Sequence, residues 1–141
     1  MADQWHSVSS PVSDATSSVF LSEYLKLYNE SNHAFEYITS ITETLLPVKG
    51  YFVWVDSTSS KVFSGTLNSG VQSVGVTRTH NYGTNEEDGW NMVGNPYPSS
   101  LDLTSSMNAW VHVDPAAWFW DPSAGNYMVY PASAVPNPNP T

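Results

Sequence analysis

Cysteine is absent from the 141 residues, which excludes disulfide staples and thiolate metal sites. Positive charge is almost as scarce. Lys26, Lys49, Lys61 and Arg78 stand singly against thirteen acidic residues, giving a formal net charge of −9. Phosphate recognition needs clustered cations, so nucleic acid and anionic membrane are poor partners, whereas a metal cation or a neutral glycan stays open. Charged residues make up 12%, about half of the roughly 25% of an average soluble domain. Ser, Thr, Asn and Gln supply the polarity instead, a tendency of secreted β-proteins. No apolar run approaches the roughly 20 residues of a membrane span, so no membrane insertion is expected. The opening Met-Ala-Asp-Gln carries no basic segment followed by an apolar run, so no signal peptide is expected there.

Apolar content is sufficient for a core: 40% hydrophobic and 13% aromatic over a length that suits one domain. Apolar residues alternate over short stretches and do not recur at helical spacing. Tyr24 to Tyr28 places Leu25 and Leu27 on one face, and Tyr51 to Val55 is β-branched and aromatic throughout. Further strands are predicted at Lys61–Leu67, Val71–Thr79, Gly89–Gly94, Ala109–Val113, Ala117–Asp121 and Asn126–Tyr130. Turn residues separate them, at Asn29–Asn32, Asp56–Ser60, Asn68–Gly70, Asp88-Gly89 and Asp121–Gly125. One or two helical turns are predicted at Ala15–Leu21 and Leu101–Asn108. The pattern predicts an all-β fold, a β-sandwich or jelly roll built from two weakly repeated halves, with little helix. The expected core is Trp5, Val8, Phe20, Leu25, Leu27, Phe52, Trp54, Phe63, Leu67, Trp90 and Val93.

The repeat is visible in the residues. Trp5-His-Ser-Val-Ser-Ser-Pro11 and Trp90-Asn-Met-Val-Gly-Asn-Pro96 share W-x-x-V-x-x-P, 85 residues apart. Tyr28-Asn29 followed by Phe35 returns 92 residues later as Trp120-Asp121 followed by Tyr127. The first unit continues through Leu46-Pro-Val-Lys-Gly50 into Tyr51–Trp54, while the second stops at Pro136-Asn-Pro-Asn-Pro140 without an equivalent strand. The chain is expected to be a single module over 1–141. Its Pro/Asn-rich tail, 129–141, calls for a partner strand or a C-terminal continuation. Three explanations stay open: a fragment of a longer protein, an exposed edge, or a strand supplied by another chain.

Trp90-Asn-Met-Val-Gly-Asn-Pro-Tyr-Pro-Ser-Ser-Leu-Asp102 resembles the W-N-x-V-G-N-P-Y-P-S motif of large secreted and surface proteins of Bacteroidota, often exported by the type IX secretion route. Trp5–Val12, Leu46–Trp54, Phe63–Asn68 and Trp120–Tyr127 resemble the same family's other signatures, in the family's order and over nearly the whole chain. The I-P-x-G-Q-G-F-F-V segment that normally follows is not in this sequence. The resemblance implies a β-sandwich module outside the cell or at its surface, without assigned catalysis, and implies little about a ligand. Asp56-Ser57-Thr58 is similar to the D-S/T-x acceptor for O-glycans on exported Bacteroidota proteins, which makes Ser57 a candidate. Asn29-Glu-Ser31 fits the N-x-S sequon, so Asn29 is another.

Other residues can be weighed on chemistry alone. The prolines of Asn95-Pro-Tyr-Pro98 stiffen a turn that presents Tyr97. Tyr97 is read either as a plug at the end of the sheet, the favoured account, or as a ring for stacking on sugar. Trp118 and Trp120 share one face of their strand and Phe119 takes the other, so either the tryptophans form a platform or they are core, as large aromatics usually are. Glu86, Glu87 and Asp88 collect oxygen ligands before Gly89, but a solvated acidic loop is the plainer account, and they match no calcium loop. His6, His33, His80 and His112 lack metal-site spacing, no carboxylate pair stands out and no serine sits in G-x-S-x-G. The expected role is therefore a non-catalytic extracellular structural or adhesive module without cofactor. It would join neighbours or copies of itself through an unpaired strand edge. The alternative is a carbohydrate-binding module that uses Tyr97, Trp118 and Trp120 on a polysaccharide.

Overall fold

The computed structural model describes residues 4–79, 88–105, 110–121 and 123–130. Among the described residues strands dominate, and helix is confined to two short 3₁₀ turns, Ser17–Phe20 and Glu30–Asn32. Among the described residues no helix is long and apolar enough to cross a membrane. The fold is all-β with two antiparallel sheets, as the alternation predicts. The chain divides into two compact units, Met1–Ser100 and Leu101–Thr141.

The first unit carries a four-stranded sheet in the order β1-β4-β2-β3, formed by Gln4–Val8 (β1), Tyr24–Asn29 (β2), Ala34–Tyr37 (β3) and Tyr51–Val55 (β4). Period-two geometry assigns every side chain to a face once the register is set. With Leu25 opposite Val53, one face takes Leu25, Tyr51, Val53 and Val55 into a core with Val12, Ala15, Phe20 and Leu45. Val8, Leu27 and Phe63 pack against that core as expected. Phe52 and Trp54 do not join it; with Trp5 they take the opposite face. The reason is chemical as well as steric. The segments that roof the core fill it with Val12, Ala15, Leu45 and the paired rings of Phe20 and Phe63, while an indole needs a partner for its N–H. On the outer face Trp54 Nε1 reaches Asp56 Oδ1 at 2.6 Å. Leu67, Trp90 and Val93, also expected inside, are exposed.

One predicted strand is absent where side chains supply the hydrogen bonds that a ladder would have made. Residues 71–79 form no strand. Asn91 instead accepts from Thr77 N at 3.2 Å and donates to Thr77 O at 2.8 Å. Around 61–67 pairing shrinks to a bridge between Val12 and Leu67. The W-x-x-V-x-x-P segments meet across the unit. Asn68, itself buried, donates through Nδ2 to Ser10 O at 3.1 Å and to Pro96 O at 2.9 Å, and Ser9 Oγ donates to Asn95 O at 2.6 Å. Gly94 lies against Ser9 so closely that an added Cβ would sit 2.4 Å from Ser9 Cβ, which explains a glycine there.

The second unit contains Ala117–Asp121 (β5) and Asn126–Tyr130 (β6), an antiparallel hairpin at the predicted positions. The stretch 110–113 is not a strand, and no helix forms over 101–105.

Candidate functional site

The outer face of the four-stranded sheet is an aromatic surface. The register lines up Trp5 with Trp54, Tyr24 with Trp54, Lys26 with Phe52 and Tyr37, and Tyr28 with Phe35. The rings tile edge to face: Trp5–Trp54 at 5.5 Å, Tyr28–Phe35 at 5.2 Å and Tyr24–Tyr37 at 6.2 Å between centroids. Such geometry aligns the positive ring edge with a neighbour's negative face. Lys26 occupies the middle, its Nζ 3.7 Å from the centroid of Trp5 and 4.5 Å from that of Phe35. Burial lowers the pKa of this ammonium below the ordinary lysine value. The surface is open at the periphery, where Tyr24 is 64% and Tyr37 60% exposed. A ring or sugar that stacks on Trp5 must displace Lys26, whereas the two tyrosines are ready to make contact. Sequence reasoning missed this face as a site. Its signal was present in the alternate aromatics of β2, β3 and β4, but they combine only when the register is known.

A buried carboxylate fastens the back of the β2–β3 turn. Glu30 is almost fully enclosed and accepts from Thr79 N at 2.6 Å, Thr79 Oγ1 at 2.9 Å and Gly89 N at 3.0 Å. Burial opposes its charge, but the N–H groups of Thr79 and Gly89, with the hydroxyls of Thr79 and Thr77, outweigh it and hold the pKa at about 2. Every donor faces the carboxylate, so its oxygens serve as a structural anchor. Next to it His33 Nε2 lies 3.1 Å from Asp88 Oδ1. Asp88 is thus turned inward onto a histidine. Glu86 and Glu87 lie outside the described residues, and among the described residues no group of three or more His, Asp or Glu is placed to hold a metal.

Tyr97 belongs to the first unit and donates its hydroxyl to Gly70 O at 2.6 Å. Asn95 organises that turn, accepting from Tyr97 N at 3.0 Å and donating to Ser99 O at 2.6 Å. Trp118 and Trp120 belong to the second unit, on the hairpin face that also carries Tyr127, with Trp120 and Tyr127 5.1 Å apart. They are 38% and 53% exposed. The opposite face carries Phe119, Met128 and Tyr130, which with Leu101, Leu103 and Val129 line an open apolar hollow of about 370 Å³. Of the modification candidates, Ser57 is exposed in the bend just after β4. The Asn29 amide donates to Glu36 Oε1 at 2.8 Å, and its carbonyl accepts from Ser31 N and Oγ.

The fold and these surfaces define an all-β protein of strand hairpins with aromatic outer faces. Residues 2–133 match the model of a domain of unknown function, DUF8693, and the chain belongs to that family. No curated protein and no solved structure matches it.

Proposed function

We propose that the chain is a non-catalytic structural or adhesive module, a building block of a bacterial surface protein or filament outside the cell. The observation that carries this reading is the aromatic outer face of the four-stranded sheet, with Tyr24 and Tyr37 turned to solvent. Contiguous exposed aromatic surface is a contact surface. Tyrosine combines ring area with a hydroxyl at low conformational cost, which suits docking onto neutral neighbours. The low charge content and the likeness of Trp90–Ser99 to a motif of exported surface proteins support the location. Sedimentation velocity across a concentration series is the test. Reversible self-association is expected, and Tyr24→Ser with Tyr37→Ser weakens it about tenfold, the effect of losing two half-exposed rings from a contact. A species that stays monomeric at every concentration overturns the reading.

A second reading, polysaccharide binding, is favoured by the exposure of Trp118 and Trp120 on one hairpin face beside Tyr127. Flat rings of this kind take sugar faces by stacking. Tryptophan fluorescence titrated with glucans, xylans and mannans then shows a saturable change that Trp120→Ala removes. A flat response to all three disposes of it.

A further inference from the structure

We infer that the aromatic outer face of the first unit docks on the same face of a second copy of this chain, with Lys26 of each copy meeting Asp56 of the other. The inference rests on the assembly reading and names its partner and its register.

The face carries two charged groups, and each has bonding capacity left over. Lys26 Nζ touches only rings, at 3.7 Å from the Trp5 centroid, 4.5 Å from that of Phe35 and 5.8 Å from that of Phe52. Among the described residues it makes no ion pair and no oxygen accepts from it, so the N–H donors of its ammonium lack an acceptor in the chain. Asp56, exposed just past the end of β4, accepts from Trp54 Nε1 through Oδ1 at 2.6 Å. That bond holds the carboxylate on the ring side of the sheet and occupies one of its roughly four lone-pair sites.

The register places the two charges symmetrically. Lys26 lies opposite Phe52 and Tyr24 opposite Trp54, and Asp56 follows two residues beyond Trp54. The Tyr24–Trp54 row therefore falls midway between ammonium-bearing and carboxylate-bearing positions, about 7 Å along the strands from each. A two-fold axis laid along that row turns the face onto itself. Each Lys26 then arrives at the other copy's Asp56, and the two Tyr24 rings meet at the axis. The contact is isologous, so both pairs are made at once. Tyr24, 64% exposed in the single chain, is the ring that such an axis buries.

Charge complementarity selects this occupant. An acidic glycan satisfies Lys26 but sets like charge against Asp56, and a basic partner does the reverse. A second copy answers both. With −9 on each copy the long-range field is repulsive, so the rings supply the contact and the two short-range pairs select its register.

Sedimentation velocity on the full chain and two charge reversals is the test. Lys26→Glu sets acid against Asp56, and Asp56→Lys sets base against Lys26, so each variant alone self-associates about tenfold more weakly than wild type, or worse. Mixed in equal amounts, the two form a 1:1 heterodimer within about threefold of the wild-type constant, because each reversal then faces the other. Wild type that associates no better than either reversal overturns the inference and leaves the assembly reading standing. So does a mixture of folded variants that is no stronger than its components. Wild type that stays monomeric overturns both. Asp56→Asn keeps an oxygen for Trp54 Nε1 and removes only the charge, and it should weaken association about threefold. An unchanged constant for that variant overturns the inference even where a reversal fails to fold.

Discussion

Replacing Glu30 with Ala is expected to lower the stability of the first unit by about 3–5 kcal/mol, because removing the acceptor strands several donors in a closed site, each costing about 1–3 kcal/mol. The donors are Thr79 N, Thr79 Oγ1 and Gly89 N. Urea unfolding of the two proteins measures the difference, and a loss below about 1 kcal/mol would show that the anchor does not hold in solution. Against a typical total of about 5–15 kcal/mol, such a loss is a large fraction. The same carboxylate predicts an acid response. Its pKa is depressed in the folded state from 4.5 to about 2, so its stabilisation is complete above the unfolded value and is lost as pH falls from 4.5 through 2. Glu30→Gln should flatten that part of the acid unfolding curve.

The second large effect is expected at Asn68. Its amide bridges Ser10 O and Pro96 O, tying the two W-x-x-V-x-x-P segments together, while its backbone N–H donates to Pro11 O at 3.0 Å. Asn68→Ala keeps the backbone bond and leaves two enclosed carbonyls without their donor, at a cost of about 2–3 kcal/mol. Asn68→Asp should be worse near neutral pH, since a carboxylate has no proton to offer and would face two carbonyl oxygens. Thermal unfolding of the two variants at pH 7 checks the order. If Asp proves as stable as Asn, the bridge is not made.

Local chemistry was readable where a strand carries its own signature between turn residues. Tyr51–Val55, Ala117–Asp121 and Asn126–Tyr130 were read with their observed limits, and Tyr24–Tyr28 to within one residue. Alternation announces two faces without saying which is inward, so Phe52 and Trp54 were assigned to a core that Tyr51, Val53 and Val55 fill. That choice depends on what the loops at 12–20 and Leu45 present, which no strand encodes. Residues 71–79 read as a strand from composition. They are held by Asn91 and Glu30, side chains 14 and 49 residues away in sequence from Thr77 and Thr79, and such separations leave no local mark. The hairpin repeat was legible because an aromatic pair, an Asn or Asp and a serine recur at one fixed offset. Its left-handed position was not, since His33 gives no glycine signal.

Two of the lysines have partners within the chain. Lys26 sits over the Trp5 ring, and Lys61 Nζ lies 2.7 Å from Glu23 Oε1. With a formal net charge of −9 the chain behaves toward its surroundings as a polyanion, and two copies repel one another out to the Debye length, roughly 8 Å at physiological ionic strength. Contact through rings and strand edges gains nothing from that long-range field and must overcome it. Added electrolyte, which loosens partners joined by opposite charges, would here bring like modules together. The ionic strength of the medium thus becomes a control on when such modules meet.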